Sequence, residues 1–245
     1  MLCIVCSVLV SIAAVGLKPI QERNRALETK KNILKVAALM KPGVDVEETF
    51  RKIQVGVVDL STGERKSGAE YKNYDQRVAS KDPDLSIPIP EDRDLGGIKR
   101  RAKLALVYLV TNQDRVDTII LPIYGKGLWS TMHAFLALEG DANTVKGYTF
   151  YEHGETPGLG GEVDNPSWQR QWVGKRIFDR DWNLSLDIRK GKVDPSKQEA
   201  VHQVDGLSGA TLTTVGVENF MLYWLGEDGF GPFLARMRTA GENNG

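Results

Sequence analysis

The chain opens on 17 residues without a charge, Met1 to Leu17, and then changes character. From residue 18 apolar positions thin out to Ile20, Leu27 and Leu34, seven apart, with charges between them and Ala37 and Ala38 near the end. This spacing predicts a helix over 18–40, stopped by Pro42-Gly43, whose narrow stripe packs on a partner or on the domain that follows. Ile53–Leu60 reads as a strand closed by Ser61-Thr62-Gly63. Residues 64–98 are polar and rich in turn formers, including Pro83, Pro88, Pro90 and Gly96-Gly97, which suits an ordered insertion or a partner-facing loop. Lys103–Thr111 and Val116–Tyr124 are β-branched runs joined by Asn112-Gln113-Asp114-Arg115, the pattern of a hairpin with a longer loop.

Further on, Leu128–Glu139 has helical character and Val145–Tyr151 reads as a strand. Asn165–Phe178 is read as a helix with Trp168 and Trp172 four apart on one face. Asn183–Ile188 alternates like a strand, and helices are expected at Leu212–Leu225 and Pro232–Thr239. Strands in antiparallel-looking pairs, without regular strand–helix alternation, argue against a doubly wound sheet. The expected fold class is α+β, a mostly antiparallel sheet with packed helices, preceded by a single N-terminal transmembrane helix. The expected organisation is an anchor over 1–17 lacking its first residues, a helical connector over 18–42 and one domain over 43–245.

As a helix, 17 residues span about 25 Å, slightly short of a roughly 30 Å hydrocarbon core. Three readings of the apolar segment compete: a transmembrane anchor, a signal peptide, since Ser11-Ile12-Ala13 resembles a small-x-small cleavage site, and a buried helix. No basic residues precede the run, which disfavours the signal peptide. Lys18, Arg23, Arg25, Lys30 and Lys31 follow it closely. Taken alone, the positive-inside rule would put that flank in the cytoplasm.

Composition narrows the chemistry. Lys+Arg and Asp+Glu are both 32, and no basic block interleaves with aromatics, so nothing points to nucleic acid. Cys3 and Cys6 are the only cysteines. The remainder of the chain therefore cannot hold a disulfide framework, a Cys-ligated iron–sulfur cluster or a thiolate zinc site. His133, His153 and His202 are too scattered for an H-E-x-x-H site, so no metal site is expected.

The most informative segment is Ser208-Gly209-Ala210-Thr211-Leu212-Thr213, preceded by Asp205-Gly206-Leu207 and followed by an apolar, helix-like run. A helix start offers unpaired N–H groups and the positive end of a dipole, which suits a phosphate. Read by itself, the segment is equally a turn followed by a capped helix. Two superficial echoes fail on context. Gly125-Lys126-Gly127-Leu128-Trp129-Ser130 lacks the last glycine of a dinucleotide fingerprint and precedes no βαβ unit. Gly206-Leu207-Ser208-Gly209-Ala210 echoes a nucleophile elbow, but no histidine follows Ser208.

Ser208-Gly209-Ala210-Thr211 with Asp205 upstream resembles the flavinylation motif of proteins that carry FMN on a threonine through a phosphoester bond. Gly125–Thr131 matches a Gly-x-Gly-Leu-Trp-Ser stretch, Glu155–Gly161 a Glu-Thr-Pro-Gly-Leu-Gly stretch, and Trp224–Phe233 a further tail segment of one family. Together with the apolar N-terminus they resemble, over nearly the whole chain, the C-subunit family of the sodium-translocating NADH:quinone oxidoreductases. The resemblance implies that a flavin transferase moves FMN from FAD to Thr211, with Ser208, Gly209 and Ala210 shaping access. Trp129 and Leu159 would give packing surface to the ring, and Thr156, Gly158 and Gly160 would bring backbone groups close. It implies an electron-carrier subunit of an inner-membrane, single-pass kind, its soluble domain facing the periplasm. One-electron transfers from an iron centre to a flavin in a neighbouring subunit, and finally to quinone, would pass through it while the complex exports sodium. The related flavoprotein subunit of the ferredoxin-linked ion-translocating complex is the alternative, as is an anchored binding module without cofactor.

Overall fold

Both faces of the central β-run are apolar, and the reason is visible in the computed structural model, which describes residues 2–71, 73–113 and 115–242. Helix α1 (Leu2–Val36) precedes the short helix α2 (Val46–Phe50) and strand β1 (Ile53–Asp59). The polar stretch that follows is ordered in small pieces: β2 (Glu64–Lys66), α3 (Gln76–Ala79), β3 (Ser86–Pro88) and β4 (Arg100–Ala102). The long strands are β5 (Leu104–Asn112), β6 (Arg115–Lys126), β7 (Thr131–Glu139) and β8 (Val145–Glu152). Asp114 of the expected hairpin loop lies outside the described residues. The chain closes with α4 (Pro166–Arg170), β9 (Asp187–Arg189), β10 (Gln203–Asp205), α5 (Thr211–Leu225) and α6 (Gly231–Glu242).

Six strands form one antiparallel sheet in the order β2-β1-β5-β6-β7-β8. On one face Val107, Leu121, Ile123 and Leu136 meet Val217, Phe220, Met221 and Trp224 of α5 in the larger core. On the other, Tyr108, Ile120, Phe135 and Ala137 meet Ile33, Leu34 and Ala37. A sheet covered on both faces loses polar alternation, which is why its strands read as continuous apolar runs.

Three expectations are corrected. Leu128–Glu139 is not helical: Gly127–Ser130 is the turn of a hairpin and β7 pairs with β6 and β8 on either side. Met132, Ala134, Leu136 and Leu138 are good helix formers, and tertiary pairing overrides that weak preference. The helix expected over 165–178 is only α4, capped by the Asn165 side chain on the Ser167 N–H. Trp168 and Trp172 are both buried, as their spacing suggested. The strand expected over 183–188 is reduced to β9, which pairs in parallel with β10.

Helix α1 runs unbroken from the expected anchor into the expected connector and ends at Val36, with Pro19 inside it. It ends before Pro42 with paired bonds from Leu39 N–H to Leu34 O (2.9 Å) and Ala38 N–H to Lys35 O (3.1 Å). Ala38 adopts φ +58° there, the left-handed position of a Schellman stop that glycine usually fills. Ile4, Val8, Leu9, Val10, Ile12, Val15, Leu17 and Ile20 are exposed along the first half of α1. Among the described residues no helix is long and apolar enough to cross a membrane.

Candidate functional site

Three separated segments converge at the start of α5. The first is the β6–β7 turn, closed by Gly127 N–H donating to Ser130 O at 2.8 Å. The second follows β8. Thr156-Pro157-Gly158-Leu159 is a tight turn, with Leu159 N–H on Thr156 O at 3.1 Å. Pro157 at its second position and Gly158 at its third, with φ +77°, make it type II. The third repeats that geometry. Leu207-Ser208-Gly209-Ala210 closes through Ala210 N–H to Leu207 O at 3.2 Å, with Gly209 at φ +73°. The second turn leads directly into α5, so Ser208, Gly209 and Ala210 are the turn and Thr211 is the first helical residue.

This arrangement leaves Thr211 exposed at the helix start. Ala210, the capping residue, provides no side-chain acceptor for the first-turn amides. Such amides have no partner within their own helix, and they carry the positive end of its dipole. The two turns lie side by side: a Cβ on Gly209 would sit 3.4 Å from Leu159 Cδ2. Around them Trp129 is 68% exposed, Leu159 46% and Leu212 64%, an unusual concentration of apolar side chains in solvent.

The segments are pinned by a residue that sequence reasoning did not select. Glu155 is 4% exposed, and its carboxylate accepts five hydrogen bonds. Oε1 takes the Trp129 N–H at 3.0 Å, the Ser130 N–H at 3.1 Å and the Ser130 hydroxyl at 3.2 Å. Oε2 takes the Leu128 N–H at 3.2 Å and the Thr213 hydroxyl at 2.7 Å. Burial pushes this carboxyl up, but the bonds from Thr213 and from the Trp129, Ser130 and Leu128 amides outweigh it and hold the group below its ordinary range. Glycines make room: a Cβ on Gly160 would lie 2.5 Å from Thr213 Oγ1, and one on Gly127 would lie 2.7 Å from Glu155 Oε1. A charged residue heading a Pro-Gly turn with no neighbouring cation in sequence was the available signal.

A second layer supports the first. Gly154 N–H donates to Ser130 Oγ at 2.8 Å, and Glu155 N–H donates to His153 Nδ1 at 3.2 Å. His153 Nε2 meets Asp164 Oδ2 at 2.9 Å, so the ring carries its proton on Nε2 when neutral. Asp205 is turned to structural use: Oδ1 accepts the Val193 N–H at 2.7 Å, and its carbonyl accepts Trp168 Nε1–H at 2.8 Å.

Thr211, Ser208, Gly209, Ala210, Trp129, Thr156, Gly158, Leu159 and Gly160 thus fall on three adjoining segments. A cavity of about 750 Å3 lies elsewhere, lined by α1 residues and by Tyr108, Tyr124, His133 and Tyr151, and none of those nine residues lines it. The site can do two things chemically. It can hold a phosphate at the start of a 15-residue helix, and it can offer apolar side chains and turn backbone to a flat ring. Unpaired first-turn amides, with exposed Trp129 and Leu159 alongside, fit a flavin mononucleotide whose phosphate lies at the helix start.

Residues 127–226 match the family described as FMN-binding domain. The chain is 50% identical over 240 residues to the C subunit of the Na(+)-translocating NADH-quinone reductase of Pseudomonas aeruginosa, covering 96% of this chain and 92% of that protein. It is 49% identical over 244 residues to the protein of the same description from Vibrio alginolyticus, covering 99% and 93%. The crystal structure of Shewanella oneidensis NqrC superposes with a TM-score of 0.80 at 34% identity, covering 89% of this chain and 99% of that one.

Proposed function

The chain belongs to the C-subunit family of the Na(+)-translocating NADH-quinone reductases, and on that footing we propose that it carries FMN covalently on Thr211 and passes electrons between its neighbours. It is a subunit of an oxidoreductase complex. The observation that carries the proposal is the exposed Thr211 at the first position of α5, directly after the Leu207–Ala210 turn.

When bound, FMN supplies reversible uptake and release of electrons. The protein's part is attachment and placement. Thr211 Oγ is the point of attachment, and the first-turn amides of α5 offset the negative charge of the phosphodiester. Trp129 and Leu159 would offer packing surface to the ring, and the backbone around Thr156, Gly158 and Gly160 would offer hydrogen-bonding groups to its polar edge. Ser208, Gly209 and Ala210 are small, which leaves the hydroxyl open to a flavin transferase. In that step the Thr211 Oγ–P bond forms, the pyrophosphate bond of FAD breaks, AMP leaves and the hydroxyl proton is released. A threonine hydroxyl is a weak nucleophile, so the transferase must activate it. The tether keeps the local cofactor concentration high in every redox state.

The partners on this reading are the other subunits of a sodium-exporting complex and a membrane. The exposed Ile4, Val8, Leu9, Val10, Ile12, Val15 and Leu17 support an inner-membrane anchor, and on this reading the domain is held on the periplasmic side. The test is coexpression with a flavin transferase, denaturing electrophoresis and ultraviolet illumination. The wild-type and Ser208→Ala bands fluoresce, whereas Thr211→Val is dark. A dark wild-type band beside an active transferase removes the carrier role, and a fluorescent Thr211→Val band removes the site assignment.

A further inference from the structure

We propose that Glu155 is a positioning residue of the flavin site and that its fixed negative charge lowers the reduction potential of the cofactor. The inference rests on the assignment of FMN to Thr211.

Its first support is placement. The carboxylate bonds to the Leu128–Ser130 turn, which carries Trp129, and to Thr213, two residues after Thr211. It also heads the Thr156–Leu159 turn. Every segment assigned to the cofactor is therefore bonded to Glu155 or adjacent to it. The second support is that the charge is uncompensated. Among the described residues Glu155 forms no ion pair, and its partners are neutral amides and hydroxyls. The bonds from Thr213 and from the Trp129, Ser130 and Leu128 amides hold the carboxyl below its ordinary range, against the effect of burial. Reduction adds negative charge to the flavin, and a buried anion nearby opposes that addition more strongly than a solvated one.

Geometry and charge can be separated because glutamine fits the same cradle. Its carbonyl oxygen can keep the Trp129 and Ser130 donors. Its amide nitrogen can donate to Thr213, whose hydroxyl turns to accept. Only the Leu128 N–H loses its acceptor. Glu155→Gln thus removes the charge while retaining most of the pin, and Ser130→Ala removes the hydroxyl's bonds to the carboxylate and from the Gly154 N–H while retaining the charge.

The experiment is an anaerobic redox titration of the flavinylated wild-type, Glu155→Gln and Ser130→Ala chains, with in-gel fluorescence and thermal melting alongside. Glu155→Gln should fluoresce and show a raised midpoint. The expected change is about tenfold in the reduced-to-oxidised ratio at fixed potential, which is about 30 mV for a two-electron and 59 mV for a one-electron couple. Ser130→Ala should keep the wild-type midpoint even if it melts earlier. An equal or lower midpoint in fluorescent Glu155→Gln overturns the role of Glu155, and a Ser130→Ala midpoint raised as far assigns the effect to geometry and overturns the charge. If Glu155→Gln does not fold, the flavopeptide released from the wild-type chain by proteolysis decides. It lacks Glu155 and should have a higher midpoint than the intact protein, and an equal or lower one overturns the proposal. A dark wild-type band defeats both this and the Thr211 assignment, whereas fluorescent protein with an unmoved midpoint defeats only the former.

Discussion

The Thr213 hydroxyl donates to Glu155 Oε2 at 2.7 Å across 58 residues of sequence, and both residues are buried. This bond joins the first turn of α5 to the segment that follows β8. Thr213→Val keeps the shape and removes the donor, leaving a buried carboxylate one partner short. The expected cost is about 2 kcal/mol, the scale of a hydrogen bond to a charged group. A shift in the urea midpoint at unchanged slope is the measurement, and wild-type stability would show the bond to be idle.

Thr211 should behave in the opposite way. Its side chain is exposed, and α5 takes no cap from the residue before it. Thr211→Val is therefore expected to stay within about 0.5 kcal/mol of wild type in the apo chain, as surface changes do. Equilibrium unfolding of the unflavinylated proteins checks this, and a large loss would mean that the threonine has a structural task.

Gly216 sets how close α5 approaches the sheet. A Cβ there would collide with the Lys126 carbonyl oxygen and lie 3.2 Å from Gly127 Cα. Neither backbone group can turn aside, so Gly216→Ala must push the helix outward. The expected destabilisation is about 2 kcal/mol, typical of overpacking. Because the same shift moves Thr211 away from the Trp129 turn, in-gel flavin fluorescence should weaken as well. Undiminished melting temperature and labelling would contradict the close contact.

Stability should fall with acid in two stages. Burial, assisted by the Arg77 cation, lowers His133 to about 4, with Glu152 opposing. Between its unfolded value near 6.5 and about 4, the unfolded chain binds a proton that the folded chain does not, so stability decreases as pH falls. The loss is about 2 kcal/mol, reduced by partial exposure of the ring. Glu155, also lowered, adds stability that is present above its unfolded value and is lost as pH falls through its folded one. Melting curves from pH 7 to 4 test the first stage: His133→Phe should flatten them, and an unchanged slope would exclude His133 as the source.

The parts of the fold that were readable from sequence are those whose signal is local. The β5–β6 hairpin declares itself through two β-branched runs, and α5 and α6 through length and flanking glycines. Strand β7 does not, because Met132–Leu138 favours a helix in isolation and is extended only by its neighbours on both sides. The brevity of α4 was equally hidden, since Trp168 and Trp172 keep their burial through a turn. At the site, the turn-and-helix character of residues 208–213 was legible. The part played by Glu155 was not, because its partners come from residues 128–130 and 213, and only folding brings those together.

One helix, α1, both seats Ile33 and Leu34 on the sheet and holds Ile4, Val8, Leu9, Ile12, Val15 and Ile20 in solvent. The residues between them act as a phase-setter. Each residue of an α-helix turns the chain by about 100° and advances it about 1.5 Å. A single insertion or deletion between Ile20 and Leu27 would leave the Lys30–Glu47 pair and the seating of Ile33 and Leu34 in place, yet rotate the domain's bearing toward anything gripping the apolar end by more than a quarter turn. The aim of Thr211 toward a neighbour is thus written in the length of a segment on the far side of the sheet.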